Sequence, residues 1–265
     1  TDNDFSPDIR SLLEQGISVA SVNYPLIRDA YEEEIGIRQC FEAAEEAVQF
    51  LRHFAPELNV DPQNMATMGN SAGAVIALYL AYGPDQGNSG STDPQLRESS
   101  SSMKAVALTD AQSSYDFVRW IDDIFPPIDI SSLAESMKST AFPYYGITNG
   151  SLGVMTTFRN DPDVIAYRAE VDMLAFVESA VPNHPRPPIW VKNTLGDPSD
   201  TALVFIFAPG RLMHHVMFVS ALKEAADDAG IDCTAYAPPL YGETGYGHID
   251  NHQTGPGLVE FLAEK

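Results

Sequence analysis

The stretch Met-Gly-Asn-Ser-Ala-Gly, residues 68–73, constrains the fold more than any other part of this chain. It joins a short approach, "NMATMG", to the run "AGAVIALYLAY", which is apolar on nearly every side. One glycine would serve a plain turn, and one serine would cap a helix. Here Gly69 and Gly73 flank Ser71 at two residues on either side. That spacing predicts a serine held at a sharp strand-to-helix bend, where a side chain on either neighbour would collide. The hydroxyl of such a serine stands exposed, and the N–H of Ala72 points to where an oxyanion would form. The plainer alternative is a glycine-bounded helix cap. Context favours the bend, because the pentad follows a predicted strand and opens a predicted helix.

The alternation extends along the chain. "SPDIRSLLEQG" reads as a helix with a Ser-Pro start and a glycine stop. "ISVASVNYPL", residues 17–26, has the β-branched run of a buried strand. Residues 33–55 place Ile37, Phe41, Ala44, Val48 and Leu51 at helical spacing. Beyond the pentad, "MKAVALTDA", "PIWVKN" and "IDCTAYA" read as strands. "MHHVMFVSALKEAADDAG" reads as an amphipathic helix and "PGLVEFLAEK" as a last one. This order predicts an α/β fold with a mostly parallel sheet flanked by helices.

Residues 83–102 form a polar loop, and residues 112–188 are irregular and rich in proline. The latter are read as a lid or insertion within a single domain, 1–265. Its aromatics, Tyr115, Phe117, Trp120, Phe125, Phe142, Tyr144 and Tyr145, exceed what a solvated loop needs. They are expected to lie over the site and set substrate choice, or else to form a small core of their own.

With 265 residues and 44% hydrophobic content, the chain can bury one substantial core. Its 15 basic and 37 acidic residues give a formal charge of -22, which disfavours nucleic acid and anionic membranes as partners. No apolar run approaches the roughly 20 residues that span a bilayer. Cys40 and Cys233 lie far apart, so they suggest neither a metal motif nor a disulfide framework and are read as packing residues. No metal or cofactor is implied.

A serine hydroxyl needs a base, and the base needs an orienting acid. His248 stands in "GETGYGHIDNH", a glycine-rich loop between the last strand and the last helix, where it can swing over the carboxyl edge of the sheet. His252 is the reserve. His184 sits in a proline-rich stretch with no evident role, and His214 and His215, placed at the start of a helix, are read as capping or packing residues. For the acid, "TLGDPSD" follows the strand "IWVKN" and offers Asp197, fixed by the next proline, and Asp200 as the alternate.

The segments "VASVNYPL", "AVQFLRHFAPELNVDPQNMATMGNSAGAVIAL", "PPIWVKNTLGDPSD" and "GYGHIDN" together resemble the carboxylesterase and feruloyl-esterase-like branch of the α/β-hydrolase superfamily. The likeness covers residues 17–82 and 187–262 and is weak across the lid. It implies Ser71 as nucleophile, His248 as general base and then acid, Asp197 as orienting acid and Ala72 N–H as one oxyanion donor. Such families carry a His-Gly-Gly type loop that supplies a second donor, and none precedes Ser71 here. The early strands and that loop are therefore expected to lie outside this chain, leaving an open groove and weak activity unless another group, such as the Asn70 side chain, substitutes. The implied activity is hydrolysis of a small-molecule carboxylic ester through an acyl-enzyme. A peptidase of the same fold and a non-catalytic binding module are the alternatives.

Overall fold

Short runs of Val, Ile, Leu and Ala without polar interruption can only be strands if both of their faces are covered. A computed structural model of the chain describes residues 6–27, 36–85, 87, 99–125, 138–147, 153–179, 186–193, 212–237 and 255–265. Within them, four strands form one sheet: β1 (Thr67–Asn70), β2 (Val106–Thr109), β3 (Ile189–Lys192) and β4 (Cys233–Tyr236). They lie in the order β1-β2-β3-β4, and every pair is parallel. Thr67, Val106, Ile189 and Cys233 share one row; Asn70, Thr109, Lys192 and Tyr236 share the last. The residues that follow these ends, Ser71, Asp110, Asn193 and Ala237, form the carboxyl edge.

Parallel neighbours need crossovers, and helices supply them. In chain order they are α1 (Ser6–Glu14), α2 (Ile37–His53), α3 (Ala55–Leu58), α4 (Ala72–Tyr82), α5 (Phe117–Arg119), α6 (Lys138–Tyr144), α7 (Val154–Asn160), α8 (Pro162–Glu170), α9 (Met173–Glu178), α10 (Val216–Asp228) and α11 (Leu258–Ala263). A π-helical turn, Trp120–Ile124, continues α5.

The pleat sorts side chains between two cores. Val106, Leu108, Ile189, Val191, Cys233 and Ala235 face the larger one, with α2, α4, α9 and α10. Ala107, Trp190 and Tyr236 face the other way, against Leu258 and Phe261 of α11. The all-apolar α4 is buried from Ala74 to Leu78 and packs on β1 and β2. Both faces are covered. The two cysteines are buried and unpaired, as packing residues would be, and burial pushes their thiols up, Cys40 to about 11 and Cys233 to about 12.

Two expectations need correction. Residues 17–26 form no strand, and Val22 and Leu26 are 37% and 42% exposed. β-branched composition favours an extended chain but does not supply a partner ladder, and β1 pairs only with β2 among the described residues. The segment is tied instead by the Cys40 thiol, which donates to the Pro25 carbonyl at 3.2 Å.

The second correction concerns the aromatics after β2. Tyr115, Phe117, Trp120, Phe125, Phe142 and Tyr145 are buried in the same cluster as the sheet, not in a separate core. The Tyr145 hydroxyl donates to the Tyr115 carbonyl at 2.8 Å, and its ring packs on Phe158 with centroids 4.6 Å apart. Asp116 caps α5 and also takes both the Nε and Nη2 of Arg168, at 2.7 and 2.8 Å. These contacts anchor the segment through its core side.

Polar ties hold two further places. Asp85 accepts from Ser100 Oγ at 2.6 Å and Ser101 N at 2.8 Å, while Arg52 donates to the carbonyls of Ser100 and Ser102, both at 2.6 Å. Glu45 of α2 is buried against Tyr79 of α4, whose ring stacks on Phe41 at 4.1 Å. Burial pushes the Glu45 carboxyl from an ordinary 4.5 up to about 8; the Tyr79 hydroxyl offsets part of this, and the charges of Glu42 and Asp85 add to it. The folded protein thus prefers Glu45 neutral. The stability this group contributes is complete below the ordinary carboxylate range and drains away as pH rises to about 8. Glu45→Gln keeps an acceptor for Tyr79 and has no charge to desolvate. Its melting temperature is expected to match wild type near pH 4 and to exceed it increasingly from pH 5 to 8; an offset independent of pH would contradict this.

Candidate active site

β1 delivers Ser71 to the carboxyl edge and α4 leaves from it. Main-chain bonds fix the serine on both sides: its N–H donates to Thr109 O at 3.0 Å, and its carbonyl accepts from Ala74 N at 2.9 Å. Its backbone is left-handed, with φ 52 and ψ -120. A non-glycine residue holds such a conformation at a cost of about 1–3 kcal/mol, and only where its surroundings enforce it. Asp110, the next residue along this edge, is also left-handed, with φ 48.

Ser71 occupies the cap position of α4, yet its side chain makes no capping bond. This removes the plainer reading of the pentad. The hydroxyl instead lies 2.7 Å from Nε2 of His214.

The flanking glycines turn out to serve different ends. A Cβ on Gly69 would sit 2.1 Å from the Gly73 carbonyl oxygen and 2.6 Å from Ala74 N. A Cβ on Gly73 would meet nothing within 4 Å. The expected collision at both neighbours therefore holds at Gly69 alone, because the first turn of α4 passes directly over β1. Asn70 Nδ2 gives one of its two hydrogens to Thr109 Oγ1 at 2.9 Å, which ties this side chain to the neighbouring strand.

His214 is the residue that sequence reasoning set aside. The expected helix over "MHHVMF" begins only at Val216, because His215 caps it: His215 Nδ1 accepts from Met217 N at 3.1 Å. His215 thus caps, as expected, but His214 falls on the turn before the helix. The signal lies in the topology. A helix that follows a parallel strand starts at that strand's carboxyl end, so the residues just before α10 arrive at the edge where Ser71 stands. The structure brings together Ser71, Ala72, Gly69, Gly73 and His214. Asp197, Asp200, His248 and His252 lie outside the described residues, so the remaining sequence assignments have no geometry here. Among the described residues no group of three or more His, Cys, Asp or Glu side chains could hold a metal ion.

A parallel sheet covered on both faces, with a left-handed serine between strand and helix at its carboxyl edge, is the α/β-hydrolase fold. The sequence model of the BD-FAE family, a family of α/β-hydrolase-like esterases, matches residues 1–142, and the chain belongs to that family. The match includes Ser71 and ends before β3, so the histidine and acid rest on other grounds. No curated protein matches the chain. Among solved structures, an acetyl ester-xyloside bifunctional hydrolase from Caldicellulosiruptor lactoaceticus is 16% identical, with a TM-score of 0.54 over 91% of this chain and 68% of that one. Thermogutta terrifontis esterase 2, phosphoramylated by tabun, is 17% identical, with a TM-score of 0.52 over 98% of this chain and 73% of that one. A truncated carbohydrate esterase from gut microbiota is 18% identical, with a TM-score of 0.54 over 96% and 76%. At such identities these likenesses speak for the fold.

Proposed function

We propose that this chain is a serine esterase that cleaves small carboxylic esters through an acyl-enzyme on Ser71. The observation that carries the reading is the 2.7 Å approach of His214 Nε2 to Ser71 Oγ at a left-handed bend that leaves the hydroxyl uncapped. In the first half-reaction the histidine takes the hydroxyl proton as Oγ attacks the ester carbonyl carbon. The carbonyl oxygen becomes an oxyanion beside the N–H of Ala72, which opens α4 and has no carbonyl one helical turn before it to receive it. Collapse expels the alcohol, which leaves with the histidine's proton. Water then attacks the acyl group with the same histidine as base, releasing the acid and restoring Ser71.

Esterase relatives of this fold support the substrate class, and the Thermogutta enzyme's modification by tabun points to reagents that would report on Ser71. Asp197, or Asp200 in its place, follows β3 in sequence and is the proposed orienting acid. The segment 112–188 is proposed to border the substrate through half-buried residues such as Tyr144, since its buried aromatics are occupied in the core.

The base has a second reading. His248 follows β4 in sequence within the glycine-rich stretch "GETGYGHIDNH", and the family resemblance favours it. Short-chain nitrophenyl ester hydrolysis by His214→Ala and His248→Ala decides between them. With His214 as base, His214→Ala loses about 10³-fold or more in kcat, whereas His248→Ala keeps most of it. The reverse pattern assigns the base to His248. No hydrolysis by the wild-type chain, and no labelling of Ser71 by a fluorophosphonate, would instead favour a binding module.

A further inference from the structure

The turn that carries His214 is held from beneath by two buried side-chain amides that the reaction itself does not use. Gln112 follows β2 and Asn193 follows β3; they are 2% and 1% exposed. Gln112 Nε2 donates to the carbonyl of Met213, and its Oε1 accepts from the Tyr115 hydroxyl at 3.1 Å. Asn193 Nδ2 donates to the carbonyls of His215 at 3.1 Å and His214 at 3.4 Å. Three successive carbonyls, Met213, His214 and His215, are thus received by two amides.

The orientation of the Asn193 amide is not free. Its Oδ1 accepts from Ala111 N at 2.7 Å, and its Nδ2 donates to Ala111 O at 2.9 Å. Flipping the amide would set donor against donor and acceptor against acceptor. The same side chain therefore locks the loop after β2 to the turn before α10. The main chain of His214 is thus held by Asn193, while His215 is anchored as the cap of α10.

We infer that Asn193 and Gln112 are positioning residues that set His214 against Ser71. This rests on the reading of His214 as the base. Displacing a reacting group by about 1 Å can cost about 100-fold in rate, so a turn held by its carbonyls serves the chemistry as well as the fold.

Asn193→Asp and Gln112→Glu test it, because each keeps the acceptor and loses the amide donors. An ionised carboxylate would face the carbonyls, whereas a protonated one donates to one of them again. With a nitrophenyl acetate assay at pH 8, each variant is expected to lose about 10- to 100-fold in kcat with KM within about twofold. Its activity relative to wild type should recover as pH falls towards 5. A folded variant with wild-type kcat overturns the inference, as does a kcat loss that ignores pH. If both variants fail to fold, the amides serve the fold alone and the inference falls.

Controls separate the layers. A wild-type chain that hydrolyses no ester and takes no fluorophosphonate fails the esterase reading before any variant is made. An active His214→Ala leaves the esterase standing and removes the positioning role.

Discussion

Replacing Ser71 by alanine is expected to lower kcat for a nitrophenyl ester by about 10⁴- to 10⁶-fold, with little change in melting temperature. The hydroxyl makes no cap for α4 and, among the described residues, reaches towards His214, so removing it withdraws the proposed nucleophile without unsatisfying the helix. Alanine must still adopt φ 52, a backbone that L side chains resist. Glycine does so freely. Ser71→Gly should therefore be as inactive as Ser71→Ala and melt about 2–4 °C above it, the shift that about 1 kcal/mol produces in a chain of this size. Calorimetry on the two variants measures the strain held at residue 71. Equal melting temperatures would mean that the surroundings, and not the backbone preference, set this bend.

Gly69→Ala is expected to be the most damaging single methyl in the described structure. It would lie 2.1 Å from one backbone atom of Gly73 and 2.3 Å from another, and neither belongs to a side chain that could swing aside. Relief requires α4 to lift from β1, opening the most buried contacts of the larger core. A loss of about 4 kcal/mol or more follows, enough to deplete the folded chain. Gly73→Ala has no such neighbour, and alanine is the better helix former by about 1 kcal/mol, so its melting temperature should equal or exceed wild type. Denaturant melts of the pair check this asymmetry, and a mild Gly69→Ala would show that α4 can move.

The contrast between those glycines shows what a linear reading can reach. The bend at Ser71, the four short apolar strands and the buried α4 are all local: each is written in composition and spacing within a dozen residues. Residues 17–26 misled because propensity describes a single chain, whereas a strand is defined by its neighbour. Gly73 misled because symmetry in sequence is not symmetry around a helix start. His214 was missed because its placement depends on one residue of helix boundary. With His215 as the cap rather than a helical residue, the preceding side chain moves from a helix face to the carboxyl edge of the sheet, beside Ser71. Asn193 and Gln112 are plainer still: nothing in "VKNTL" or "DAQSS" marks them, and only the juxtaposition of three loop ends gives them work.

The ties made by Asp85 and Arg52 carry a consequence for how this chain can vary. By gripping Ser100, Ser101 and Ser102, they close the two ends of the connection between α4 and β2 independently of what lies between. Loop-closure entropy grows only slowly with length, by about 0.6 kcal/mol for each doubling. The polar stretch between those ends can therefore lengthen or shorten without shifting the strand that feeds Asp110 to the site. It is a natural place to splice in an affinity tag or a second domain.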